Sequence, residues 1–83
     1  MTTEYRVVDF YFDAEKWGQQ ITMMCEKVGE KELAALMGMS RTGIWHWAHN
    51  SYPSGFAYPS MTNFLLACNL MDADPRTFFI IEE

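Results

Sequence analysis

Apolar residues recur at helical spacing through most of this chain, with breaks at glycine, serine and proline. Trp17, Ile21, Met24 or Cys25, and Val28 fall three or four apart, the spacing that lines up side chains on one face of a helix. Asp13 stands ahead of that stripe as a cap, Glu15 and Lys16 occupy its first turns, and Gly29 closes it. Gly18 inside the helix marks either a weak spot or a point of close packing. A second, shorter stripe follows in Leu33, Ala34 and Met37. Gly38 then stands where a helix stop favours a left-handed backbone. Met39 is an inward-facing turn residue, and Ser40 is a good cap for a third helix whose Ile44 and Trp47 point back at the second. Ser60 opens a fourth helix, with Met61, Phe64, Leu65, Cys68 and Met71 assigned inward. Asp74-Pro75 starts a last short helix containing Phe78. Trp47 and Phe64 are the best core candidates among the later aromatics. The pattern predicts an all-α fold of five helices over residues 13–79.

The two ends follow a different period. Residues 4–12, EYRVVDFYF, alternate Arg6, Val8, Phe10 and Phe12 against Tyr5, Val7, Asp9 and Tyr11, which is a strand signal. A single strand needs a partner. Phe78-Phe79-Ile80-Ile81 offers one, either within the chain or through a second copy. Residues 1–12 are thus an N-terminal strand or arm, and 80–83 a C-terminal tail.

Residues 31–50, KELAALMGMSRTGIWHWAHN, carry the candidate chemistry: two short helices around a tight turn, an arrangement that presents the outer face of the second helix to a partner. At about 100° per residue, Gly43, Ile44, Trp47 and Ala48 fall on the Ser40 side. Arg41, Thr42, Trp45, His46 and His49 occupy the opposite arc. Arg41 can grip guanine O6 and N7 with its forked donors, Thr42 can meet a thymine methyl or a phosphate, and His46 can donate to a base edge. An outward tryptophan among short polar groups marks a surface that meets something.

On Leu33, Ala34, Gly38, Ser40, Ile44 and Trp47, then Pro59-Ser60, Phe64, Ala67, Leu70, Asp72-Ala73-Asp74-Pro75 and Phe78, the chain resembles the helix-turn-helix domain of the lambda-type phage repressor and Cro (Xre-like) family. The resemblance covers residues 13–79. It implies five helices around one core, a homodimer on palindromic operators in double-stranded DNA, and transcriptional regulation. Bases would be read by Arg41, Thr42, Trp45 and His46, and phosphates held by Lys31, His49, Asn50 and Ser51. The chain departs from the family in having Glu30 beside Lys31 at the start of the motif. Its connection after Asn50, SYPSGFAYPS, also has no Lys or Arg and is several residues longer than usual.

Composition and charge add a competing reading. The chain has 83 residues, 49% of them hydrophobic and 16% aromatic, which suits one small folded domain and excludes a disordered one. Its formal net charge is −5. Residues 1–30 carry −3, residues 31–50 carry +1, and residues 51–83 carry −3, so the acid lies at the two ends and the motif is mildly basic. Phosphate contacts should therefore be few, with a shallow salt dependence. From Thr42 to Met71 no Asp, Glu, Lys or Arg occurs, while aromatics are dense. Uncharged, tyrosine-bearing surface suits protein contact. Tyr52, Phe56 and Tyr58, with Tyr5 and Val7, are candidates for such an interface; a loop folded over the core by its own aromatics is the alternative for the first three. The competing reading is thus a protein-binding modulator built on the same fold.

Other classes find little support. The histidines have no nucleophile beside them, there is no glycine-rich phosphate loop, and His46 and His49 lack a third metal ligand, so neither an enzyme nor a cofactor is expected. Cys25 and Cys68 read as reduced, buried thiols. No segment approaches the ~20 apolar residues that span a bilayer, and no signal peptide is evident, so a cytoplasmic, non-membrane protein is expected.

Overall fold

The structure, a computed structural model, describes residues 9–51 and 55–82. Among these residues the elements run β1 (Asp9–Phe12), α1 (Ala14–Val28), α2 (Glu30–Met37), α3 (Arg41–Ala48), α4 (Met61–Met71), a turn of 3-10 helix (Pro75–Phe78) and β2 (Phe79–Glu82). The molecule is mostly helical, with a two-stranded antiparallel sheet. Where the sequence suggests a fifth helix, the chain makes only the 3-10 turn, since β2 begins at once after Phe78.

Local signals set the helix starts. The Asp13 carboxylate accepts from Lys16 N at 3.0 Å, and the Ser40 and Ser60 hydroxyls each accept from the backbone three residues on, at 3.1 Å. Each cap satisfies an amide that the first helical turn leaves unpaired. At the last turn Asp74 accepts from Arg76, and the guanidinium holds the Asp74 carboxyl below its usual range. Helix α2 ends as expected at Gly38, with φ 63° and ψ 33°. The Met39 and Gly38 amides donate to Ala34 O and Ala35 O, the paired closing bonds that a left-handed residue permits.

One core joins the helices. Trp17, Ile21 and Met24 of α1, Leu33, Ala34 and Met37 of α2, Ile44 and Trp47 of α3, Phe64, Ala67 and Cys68 of α4, and Phe78 are buried. Trp47 and Phe64 thus take the core places expected of them. Trp17 is the hub: its ring meets those of Phe12, Trp47, Phe64 and Phe78 at centroid distances of 5.2–5.7 Å. Three expected core residues lie elsewhere. Val28 is exposed because α2 turns away at Gly29, one residue later. Met61 and Leu65 are exposed because α4 buries the face carrying Phe64, Ala67 and Cys68 instead.

The ends pair within the chain. Asp9, Phe10, Tyr11 and Phe12 stand opposite Glu82, Ile81, Ile80 and Phe79. Asp13 N donates to Phe78 O at 2.8 Å, tying the start of α1 to the last turn and bringing the strands alongside. Phe12 and Phe79 anchor this ribbon on Phe64. Residues 4–8, the rest of the strand signal and the place of Tyr5 and Val7, lie outside the described residues.

Candidate functional site

Helix α3 is held from beneath at three points. Ser40 caps its first turn, Ile44 is fully buried, and Trp47 stands edge-on to Trp17 at 5.4 Å and 83°. The Trp47 indole N–H also donates to Ala57 O at 2.8 Å, fastening the long connection after α3 to its underside. At its C-terminal end α3 meets α1 backbone to backbone. A Cβ added to Gly18 would lie 2.8 Å from the Trp47 carbonyl oxygen, so this glycine is the point of close packing. The Thr22 hydroxyl reaches both Gly18 O and Ala48 O at 2.9 Å, one donor shared between the two helices.

The outer arc is Arg41, Thr42, Trp45 and His49, all exposed. Arg41 makes no ion pair among the described residues. It shares a shallow cleft with Thr42, Trp45 and the half-buried Glu30 of α2. Trp45 is 41% exposed, and its ring stacks on His49 at 4.3 Å and 19°. His49 Nδ1 lies 3.0 Å from Trp45 O. A carbonyl oxygen only accepts, so Nδ1 carries the proton and the neutral ring offers Nε2 as an acceptor. Together the two rings make a flat aromatic shelf beside Arg41.

His46 departs from the expected arc. It is half-buried, its Nδ1 is enclosed without a hydrogen-bond partner among the described residues, and its ring stands edge-on to Trp45 at 5.4 Å. Only Nε2 remains as a ring nitrogen for a partner, so His46 supports the Trp45 shelf more than it extends it.

The expected phosphate residues are spread around α3. Lys31 is exposed in the first turn of α2. Asn50 is exposed with φ 51°, and Ser51 is half-buried with its amide on His46 O. Among the interface candidates, Tyr52 lies outside the described residues. Phe56 is half-buried and stacks on Phe12 at 5.3 Å, while Tyr58 stays exposed although its ring touches Phe12 and Phe56.

Folding also brings up acids that the sequence order keeps apart. Glu26 of α1 and Glu30 of α2 line one cleft with Thr22, Cys25 and His49. Burial pushes the Cys25 thiol up in pKa, and the Glu30 charge adds to it. Burial, with a contribution from Asp74, does the same for Cys68; both cysteines are free thiols. No helix among the described residues is long and apolar enough to cross a membrane. In comparisons with known proteins, no family model, curated protein or solved structure matches this chain.

Proposed function

We propose that the chain is a sequence-specific regulator that binds double-stranded DNA as a homodimer and reads the major groove with α3. In this reading α2, the Gly38 turn and α3 are a helix-turn-helix, the reading that the family resemblance also suggests. The observation that carries it is the outer arc of α3, where Arg41, with no ion pair among the described residues, stands with Thr42 and Trp45 on a helix fixed beneath by Ser40, Ile44 and Trp47, while Glu30 of α2 lines the same cleft. Arg41 supplies a two-pronged donor for guanine. Thr42 and the edge of Trp45 supply apolar contact for a thymine methyl. Lys31, Asn50 and Ser51 set the register on the backbone.

Random-sequence duplexes captured by the purified protein at low salt, then sequenced, test this reading. The expected result is an enriched half-site or palindrome with guanine at a fixed position. Arg41→Ala should weaken binding to that site by about 1–3 kcal/mol and relax the preference at that guanine alone. No enrichment by a folded protein would transfer the Arg41–Trp45 arc to a protein partner. In that case Trp45→Ala should be the damaging substitution, because binding energy at protein interfaces concentrates on aromatics.

A further inference from the structure

The reading of α3 leaves the surface around the terminal ribbon without a role. Phe10 and its cross-strand partner Ile81 are 62% and 57% exposed, Tyr58 and Met61 are both 71% exposed, and Leu65, one turn along α4 from Met61, is 48% exposed. None of these side chains is charged. Phe10, Tyr58 and Met61 surround a groove of about 380 Å³, with the more deeply set Phe12, Phe64 and Phe79 along it. That volume suits one or two large side chains rather than a helix.

We propose that this face is where a second copy of the chain docks, with Phe10 or Met61 of one protomer seated in the groove of the other. The inference deepens the reading of the chain as a dimeric DNA binder and takes from it only the need for two copies. Three observations favour a second copy over a foreign partner. A two-fold interface uses one patch twice, so that patch must hold both knobs and a hole. This one does, with side chains 62–71% exposed standing beside a groove of matching size.

The area also fits. At about 150–250 Å² per aromatic side chain, Phe10 and Tyr58 alone expose roughly 200–330 Å², and Ile81, Met61 and Leu65 extend this into the size range of apolar patch that marks an interaction site. Charge agrees as well. Two chains of net charge −5 repel, and an uncharged face lets them meet without opposing like charges at the contact. The ribbon's own acids, Asp9 and Glu82, pair next to Phe10 and Ile81, but strand alternation puts them on the opposite face of the ribbon.

Sedimentation equilibrium of the DNA-free protein, over a concentration series from below one to tens of micromolar, tests the proposal independently of any operator. The expected result is a reversible monomer–dimer equilibrium. Met61→Glu should raise its dissociation constant about 30-fold or more, as loss of a central interface residue does. Met61 opens α4, where a carboxylate is favoured by the helix dipole, so this variant should keep its fold and an unchanged circular dichroism spectrum. Leu65→Glu, on the adjoining turn, should weaken the dimer too. A wild-type protein that stays monomeric at tens of micromolar would overturn the proposal, as would a dimer indifferent to both substitutions. A dimer that selects no duplex would leave this interface standing and overturn only the DNA reading.

Discussion

Gly18→Ala should lower the melting temperature, although alanine is the better helix former. Two effects oppose one another. Replacing an interior helical glycine gains about 1 kcal/mol in propensity. The new methyl, however, would lie 2.8 Å from the carbonyl oxygen of Trp47, and the obstacle is backbone that no rotamer change can move. Helices α1 and α3 must separate by several tenths of an ångström, which costs about 1–3 kcal/mol in a packed core. The same movement pulls Ala48 O from the Thr22 hydroxyl, a bond with a net contribution of about 1 kcal/mol. The balance is a loss of about 1–3 kcal/mol, which for a domain of this size is a fall of roughly 4–24 °C by thermal denaturation. Because α3 carries the proposed reading arc, binding should fall further than stability alone requires. A melting temperature equal to or above wild type would mean that the two helices are not held at this point.

Trp17→Ala should bring the protein to the edge of unfolding. The side chain is fully buried at the meeting point of four other rings, and removing such a residue costs about 3–5 kcal/mol. A small domain has about 5–15 kcal/mol in all and this one lies toward the lower end by size, so little remains. Trp17→Phe should behave differently. The indole N–H of Trp17 is buried without a hydrogen-bond partner among the described residues, and an unsatisfied donor carries a desolvation cost of about 1–3 kcal/mol that phenylalanine does not. Loss of ring volume works against that gain, so the phenylalanine variant should stay folded and lie within about 2 kcal/mol of wild type. Urea titration followed by far-ultraviolet circular dichroism measures both. A phenylalanine variant as damaged as the alanine one would show that volume alone governs the site.

How much of this was legible in the sequence follows from the range of each signal. The stop at Gly38, the caps at Asp13, Ser40 and Ser60, and the buried pair Ile44 and Trp47 are written within a few residues of where they act, and the structure has them as read. The buried face of α4 was not legible. Met61, Phe64, Leu65, Ala67, Cys68, Leu70 and Met71 surround that helix with apolar groups, so its periodicity has too little contrast to select a side. The helical wheel placed His46 outside because it sits near the edge of the arc, where the packing of Trp45 against it decides the matter. The approach of Glu26 and Glu30 to His49 joins three different helical segments and has no local signature. Pairing of the two ends was suggested by composition. That they pair within one chain depends on Asp13 and Phe78 meeting, which only the packed helices bring about.

That end-to-end pairing also bears on the order in which the molecule assembles. A ladder between β1 and β2 closes a loop that contains every helix of the described chain, and closure entropy grows with loop length. Contacts of α1 with α2 and of α2 with α3 join neighbours in sequence and can form early. The ribbon can zip only after the helical body has drawn its ends together, and it should be among the first parts to open in native fluctuations. The proposed dimer contact would then rest on the last-formed part of the fold. Association would do more than join two finished bodies: by mass action it would draw each chain toward its fully closed state, so the completeness of folding would rise with protein concentration.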